Sequence, residues 1–485
     1  MHEQNYDAIV IGAGLGGLLS AAQLLQRGKR VLIVERLPHS GGRFTAKNFQ
    51  GVQVSTGAVH MVPFGSSGVL SQMLQRLHVS HRLLDADVFG SFHVRGKQIR
   101  AQGLLNLFRV LGPRQFGWFL RVGYLMFFRP LTPEERVLPF DTWLARYVDI
   151  RRNQELLSFF KCISRFALSL ELSQVSAAEV VTTTKNMFRF GAPGIVEGGC
   201  GALTAELERR VLEQGAELRL RCDVLQILKT DDDQVTGIRA LDKTSGQEIL
   251  YSAPLVVSDI GPRATTALLA SQKVTQAHVL KEQVDTGEPP PEAVGLKIHI
   301  LSDVSLIPHK GIMYCLDTRR IAGMVQPTNW DARLAPPGKH LLISHQVIQS
   351  NDVEDERELA LADLRKMFGE TFEQHCRILT MGTYRGEWPV NRVTQGADVS
   401  SEAAVRGLFL VGDAVKPSGY LMVEGVAQSV NQFLDLLDAI EQGAAVGPLG
   451  TPVLRRPKNV VSPPSRWNAV RWLWEAPGNS GLSKE

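Results

Sequence analysis

The sequence predicts an α/β fold of two domains, and three observations lead to this prediction. Near the N-terminus an apolar run, YDAIVI, precedes a glycine-rich turn, a helix-spaced segment and a second apolar run, RVLIV. Near the other end, GLFLVGDA again joins an apolar strand to a turn and a helix. Between them, residues 101–190 have helical patterns and residues 293–350 alternate as strands of a mixed sheet do. A chain of 485 residues suits two domains of roughly 150–250 residues each.

The composition is that of an ordinary globular protein, with 44% hydrophobic and 21% charged residues. The net charge of +4 is small and argues against a nucleic-acid partner. No metal site is expected, because the five cysteines are scattered and lack metal-finger spacing; we expect them to be reduced. The N-terminus has no signal segment, and no apolar run reaches the roughly 18 residues that span a membrane, so we expect a cytoplasmic protein.

The first motif, Gly12-x-Gly14-x-x-Gly17, lies between a strand and a helix. Its glycines let the backbone approach a diphosphate, whose charge is met by the unpaired N–H groups of the helix N-terminus. Glu35 ends the second strand, where a carboxylate can bind both ribose hydroxyls and disfavours a 2′-phosphate. The unit therefore predicts a Rossmann-like dinucleotide site, for either NAD or FAD.

A second glycine pair follows in SGGR, residues 40–43. Gly41 and Gly42 would let the backbone approach the ligand again, and Arg43 would be available for a phosphate. The alternative interpretation is a flexible turn with a solvated arginine.

The C-terminal motif favours FAD. Gly412-Asp413 ends an apolar strand and precedes a helix with one apolar face. An acidic residue here suits a polyol chain, and the helix N-terminus would point at the electron-rich edge of a flavin. Two nucleotide-type elements almost 400 residues apart are explained if one extended cofactor is held at both ends.

These residues resemble the FAD-dependent family of phytoene desaturases, carotenoid isomerases and retinol saturases, within the flavin amine oxidase superfamily. The resemblance covers most of the chain, and its most specific segments are DAIVIGAGLGGLLSAAQLLQRGKRVLIVERLPHSGGR and VGDAVKPSGYLMVEGVAQS. It implies an FAD-binding domain of the glutathione reductase/amine oxidase type with an inserted α+β substrate domain.

The resemblance also implies a set of cofactor-binding residues. The first glycines would hold the pyrophosphate, Glu35 the adenosine ribose, Arg43 a phosphate, Val224 the adenine edge and Asp413 the ribityl chain. The full set is Gly12, Ala13, Gly14, Gly16, Gly17, Glu35, Arg36, Gly41, Gly42, Arg43, Val224, Gly412, Asp413 and Val423.

One segment departs from the family pattern. After the arginine the family shows an acidic residue two positions before a glycine, whereas GVQVSTGAVHMVPFG has Ser55 there and His60 three residues after Gly57. The departure puts the substrate class in doubt and is compatible with a branch of different chemistry.

The predicted cofactor domain is discontinuous, comprising residues 1–75, 190–285 and 385–445. Residues 76–189 and 286–384 would form the substrate domain, followed by a Pro-rich linker and Trp-rich tail at 446–485. Within the substrate domain, aromatics and arginines interleave in LLNLFRVLGPRQFGWFLRVGYLMFFRPL. This stretch is either a core helix with snorkelling arginines or an interfacial segment on a membrane. The tail segment WNAVRWLWEA is a second membrane candidate, or it packs back onto the body.

Five residues are candidates for catalysis, and three of them have a stated alternative role. Lys297 aligns loosely with the lysine that holds a water at the flavin in amine oxidases, but a strand lysine is more often solvated. Tyr420 and Glu424 would lie close to the ring, unless Glu424 only favours the dipole of its own helix. His60 is otherwise a structural histidine, and Lys416 is a further candidate.

The leading functional prediction is FAD-dependent desaturation of a carotenoid-type polyene, by hydride transfer to the flavin, with a quinone or O₂ as electron acceptor. Such a substrate favours peripheral membrane association, because each buried CH₂ is worth about 0.8 kcal/mol. Three alternatives stay open: a reduced-flavin isomerase or saturase, an amine oxidase-like enzyme, and a non-enzymatic isoprenoid escort on the same fold. Intact cofactor motifs argue against the escort.

Overall fold

The computed structural model describes residues 4–57, 59–270, 293–386, 388–391, 401, 403 and 405–443. The predicted tail at 446–485, with its membrane candidate, lies outside these residues. The strands are β1 (Gln4–Asn5), β2 (Ala8–Ile11), β3 (Val31–Val34), β4 (Ala46–Phe49), β5 (Val52–Ser55), β6 (Met61–Val62), β7 (Leu83–Asp85), β8 (Gly90–Val94), β9 (Lys97–Arg100), β10 (Gly194–Val196), β11 (Glu217–Arg219), β12 (Cys222–Lys229), β13 (Val235–Asp242), β14 (Gln247–Ser252), β15 (Val256–Ser258), β16 (Gly295–Ser302), β17 (Ile312–Cys315), β18 (Gly323–Val325), β19 (His340–Val347), β20 (Cys376–Tyr384) and β21 (Leu408–Leu410).

The helices are α1 (Leu15–Gln26), α2 (Val69–Arg76), α3 (Leu104–Phe128), α4 (Pro133–Val137), α5 (Phe140–Ala145), α6 (Gln154–Ala167), α7 (Ala177–Phe190), α8 (Cys200–Glu213), α9 (Pro262–Ala270), α10 (Val353–Phe368), α11 (Glu370–His375) and α12 (Met422–Glu441). Within the described part of the chain, no helix combines the length and apolar character needed to cross a membrane.

A five-stranded parallel sheet, in the order β11-β3-β2-β15-β21, forms the predicted nucleotide-binding unit. Apart from the edge strand β11, its strands are buried on both faces, so successive residues belong to different cores. In β2, Val10 packs with helices α1, α8 and α12, whereas Ile9 packs against the four-stranded sheet β1-β14-β13-β12. This burial explains why the strands are continuous apolar runs.

A second, seven-stranded mixed sheet has the strand order β20-β16-β19-β18-β17-β8-β9. The strands predicted around residues 293–350 are confirmed as β16 and β19, which pair antiparallel. One face of the sheet packs against α3 and α6, and the other against α10. The predicted α/β class, with an α+β unit around a mixed sheet, is therefore confirmed.

The aromatic and arginine-rich stretch forms α3, which is broken in its middle. Gly112 has φ +75° and precedes Pro113, so two helical segments meet at this point. The second segment buries Val122 and Met126 against the core of the mixed sheet. The stretch thus contributes to the core on one side only.

Candidate functional site

The first glycine turn lies where β2 ends and α1 begins. Gly12 has φ +97°, and its N–H donates to the Val34 carbonyl at 2.8 Å. A methyl group built on Gly17 would lie 2.0 Å from the Gly12 carbonyl oxygen. Only glycine at both positions lets the helix start directly over the strand end, with its N–H groups facing outward.

The second glycine pair packs on the first. The Gly41 N–H donates to the Ala13 carbonyl at 2.7 Å, and Gly14 and Gly41 form an isolated parallel bridge. A methyl group on Gly42 would lie 3.6 Å from the Gly14 α-carbon. The backbone of the SGGR loop is therefore held against the N-terminal end of α1 and is not a freely exposed turn.

Glu35 is buried beside the same turn. Its carboxylate accepts from the Ala13 N–H and the Leu37 N–H, both at 2.8 Å. Val224 lies nearby in β12, which joins this edge through the Cys222 N–H and the Glu35 carbonyl at 2.9 Å. Arg36 is exposed, and Val423 is buried in the first turn of α12.

Arg43 links the N-terminal loop to the C-terminal motif. Its guanidinium pairs with Asp413 at 2.6 Å and donates to the carbonyls of Pro389 and Val390 at 3.1 and 3.0 Å. The interpretation of Arg43 as a solvated side chain is therefore wrong. Gly412, with φ +109°, donates its N–H to Ser429 of α12 at 2.9 Å. The structure brings together the two elements that lie almost 400 residues apart in the sequence.

Sequence reasoning missed Asp259, which follows β15. A methyl group on Gly14 would lie 2.4 Å from one of its carboxylate oxygens, and methyls on Gly16 and Gly412 would lie 2.5 and 2.8 Å from the other. The carboxylate is thus seated between both glycine motifs. The signal was present: in VVSD, as at Glu35 and Asp413, an apolar strand ends in an acidic residue.

Lys297 lies on β16, on the sheet face opposite Leu296 and Ile298. It is buried, with 3% of its surface exposed, and its Nζ lies 4.7 Å from the centre of the Tyr384 ring. Burial, reinforced by the charge of Arg43, lowers the pKa of Lys297 to about 7. The interpretation of Lys297 as a solvated strand lysine is therefore wrong.

Two buried histidines share this environment. His299 contacts Ser55 and Thr380 at 3.1 and 2.9 Å, and His345 contacts Ser169 at 2.8 Å. Burial, together with the charge of Lys297, lowers the pKa of each histidine to about 3. Both rings are therefore neutral at neutral pH. Ser55, the position that departs from the family pattern, serves here as a partner of His299.

His60 is fully buried and has φ +60°. Its Nε2 donates to the Gln53 carbonyl at 2.8 Å, and its Nδ1 accepts from the Cys200 N–H at 3.2 Å, at the start of α8. Burial lowers the pKa of His60 to about 4. The two ring nitrogens thus link the β4–β5 hairpin to the start of α8. This is the arrangement of a structural histidine.

Glu424 points toward α2. Its carboxylate accepts from the Phe64 N–H at 3.3 Å and the Leu70 N–H at 2.9 Å, at the N-terminus of α2. Burial raises the pKa of Glu424 to about 7. Tyr420 packs edge-on against Phe64, with ring centres 6.3 Å apart. Glu424 thus caps the N-terminus of α2, and Tyr420 packs against the core beside Phe64.

Comparison with known proteins gives a family match over most of the chain. The model of the flavin-containing amine oxidoreductases matches residues 15–429. An uncharacterized protein of Methanocaldococcus jannaschii is 30% identical over 89% of this chain and 99% of its own length. The neurosporene-forming phytoene desaturase of Rhodobacter capsulatus is 26% identical over 49% of this chain and 50% of its own. The crystal structure of an oxidoreductase from Methanosarcina mazei superposes with a TM-score of 0.78, at 32% identity over 89% of this chain and all of that one.

The burial of Lys297 predicts a pH-dependent stability. Its pKa is about 7 when folded and near the ordinary 10.5 when unfolded, so between these values the unfolded chain binds the extra proton. Stability should fall on acidification through this window, by at most about 5 kcal/mol. Urea unfolding at several pH values should show this loss for the parent relative to Lys297→Met. Substituting the exposed Lys47 with Met should leave the pH dependence unchanged, and parallel curves for parent and Lys297→Met would contradict the assignment.

Proposed function

Because the chain belongs to the family of flavin-containing amine oxidoreductases and is an FAD-dependent oxidoreductase, we propose that it oxidises a hydrophobic, isoprenoid-type polyene. Bound FAD supplies the acceptor for a hydride from an allylic C–H bond. The observation behind this substrate class is the environment of Lys297, where the polar groups are buried and neutral or close to neutral. The resemblance to carotenoid-converting enzymes agrees with it.

The residues at the glycine motifs fit FAD. Gly14, Gly16 and Gly412 lie against the Asp259 carboxylate. The start of α1 therefore accommodates an anion, as binding of a diphosphate at a helix N-terminus requires. Glu35 stands at the end of β3, in reach of a ribose. Arg43 and Asp413 already pair at the junction of the two motifs. In this proposal they bind the phosphate and the ribityl chain.

Lys297 and the neighbouring side chains suit hydride removal from an apolar molecule. Positive charge develops on the substrate carbon as hydride leaves, and water in the site would trap it. The burial of Lys297, His299, His345 and Tyr384 excludes water from this sheet face. The new C=C bond forms when the neighbouring carbon loses a proton, and Lys297, with its lowered pKa, presents an amine that can accept this proton near neutral pH.

A membrane surface is the proposed source of the substrate, and α3 is the proposed contact. Its second segment exposes a stripe of Leu120, Tyr124 and Phe128, whose exposed fractions are 46%, 63% and 75%. The stretch 104–129 contains four arginines and no acidic residue. An exposed apolar stripe flanked by arginines fits an anionic lipid surface.

The proposed cofactor contacts predict the behaviour of two variants. Glu35→Ala and Asp413→Ala should each purify with less FAD and bind it about tenfold or more weakly, because each removes a contact to a hydroxyl-rich part of the cofactor. Fluorescence titration of the FAD-depleted protein measures both dissociation constants. Glu441→Ala, which removes an exposed carboxylate at the far end of α12, is the control. An unchanged affinity in either variant would remove that residue from the site.

The substrate class is tested by anaerobic mixing of the purified protein with a polyene-containing lipid extract. Bleaching of the bound flavin, with new, longer-wavelength polyene bands in the extract, is the expected result. A polyene change that requires prior reduction of the flavin would point to isomerisation or saturation instead. Bleaching by polar amines but not by polyenes would contradict the proposal.

The membrane contact predicts a selective loss of liposome binding. Changing Leu120, Tyr124 and Phe128 together to Ser should abolish sedimentation with anionic phosphatidylglycerol vesicles. Changing Arg109, Arg114 and Arg121 to Gln should weaken binding about a hundredfold, at roughly 1 kcal/mol per arginine. A matched control, Phe49→Ser with Leu212→Ser, removes exposed apolar groups elsewhere and should bind as the parent does. If all variants bind the vesicles equally, α3 is not the membrane contact and has only a structural role.

A further inference from the structure

A buried ion pair joins the C-terminal motif to α7. Lys416 Nζ lies 3.0 Å from Glu179 Oε1, and the two side chains are only 7% and 2% exposed. Burying such a pair carries a large desolvation penalty, and apolar residues of similar size often give equal or better stability. The pair is therefore poorly explained by stability alone, which directs attention to what it holds in place.

The pair holds the turn that precedes α12. Glu179 Oε2 accepts from the Gly419 N–H at 2.8 Å, and the Asn186 side-chain amide donates to the Gly419 carbonyl at 2.8 Å. Thr182 lies between these two residues on α7 and packs against the Gly419 α-carbon. A methyl group built on Gly419 would lie 2.3 Å from the Thr182 Cγ2 atom. Three residues on one face of α7 thus contact the N–H, the carbonyl and the α-carbon side of a single residue, Gly419.

The fixed turn leads directly into the first residues of α12. Met422, the first residue of that helix, has φ +46°, a left-handed conformation that side chains rarely adopt. Such a conformation persists only when its surroundings determine it. The contacts of α7 with Lys416 and Gly419 provide this restraint on the chain just upstream.

We propose that Glu179, with Asn186, is a positioning residue of the cofactor site, which holds the N-terminus of α12 against the flavin end of FAD. This inference rests on the proposed placement of FAD at the motif 411–429. The ion pair with Lys416 keeps the turn closed, and the two contacts to Gly419 set its orientation. In this proposal α7, which packs with the mixed sheet, sets the position of the N-terminus of α12, which follows the last strand of the parallel sheet.

The test uses the full chain and measures FAD binding, not turnover. In Glu179→Gln the buried Lys416 loses its counter-charge, so the turn should shift and the FAD dissociation constant should rise about tenfold, the scale of one helix-terminus interaction. The circular dichroism of bound flavin should change as well. The double variant Glu179→Gln with Lys416→Met removes both charges and keeps a carbonyl for the Gly419 N–H, so it should return to within about threefold of the parent.

Asn186→Ala removes the other contact to Gly419. It should change the FAD dissociation constant and the flavin dichroism in the same direction as Glu179→Gln, but by less. This variant tests the proposal if Glu179→Gln does not fold. Asp438→Asn, which breaks an exposed ion pair at the opposite end of α12, should leave both signals unchanged. Parental FAD affinity and flavin dichroism in folded Glu179→Gln and Asn186→Ala would overturn the proposal. Polyenes are absent from this experiment, so its outcome is independent of the proposed substrate.

Discussion

The close approach of two glycine turns is the constraint on which the site depends. One turn follows β2 and the other follows β21, and the Asp259 carboxylate lies against Gly14, Gly16 and Gly412 between them. The Arg43–Asp413 pair then ties the flanking loops together. A methyl group at any of these three glycines would collide with the Asp259 carboxylate. The order of the parallel sheet, which places β15 between β2 and β21, is what brings the three strand ends to one edge.

Burial shapes the chemistry on the neighbouring sheet face. Lys297, His299 and His345 are groups that carry or exchange protons in water, yet desolvation lowers the pKa of each. The result is a face with hydrogen-bonding capacity and little fixed charge. Such a face is compatible with an apolar substrate, whereas the same residues in solvent would repel one.

The helices α3, α6 and α7 connect the outer surface to the cofactor motif. α3 exposes Tyr124 and Phe128 on one side and packs on α6 through its other side. α7 contacts the turn at Gly419 through Glu179 and Asn186. The helix that would meet a lipid surface, α3, therefore packs against α7, the helix proposed to position α12. The proposed lipid docking and the proposed cofactor positioning would share this set of packed helices.

The sequence by itself determined the βαβ unit, the second glycine motif, the mixed sheet and the FAD-dependent family, because glycine spacing, apolar runs and strand-ending carboxylates are local signals. It did not determine where side chains point. Lys297 is buried, not solvated, because it lies over the Tyr384 ring and near Arg43 and Cys200, which are distant from it in the sequence. Glu424 caps α2, a partner more than 350 residues away, and Glu179 reaches Gly419 across 240. Only the tertiary structure decides such contacts, because they join segments whose spacing in the sequence carries no pattern.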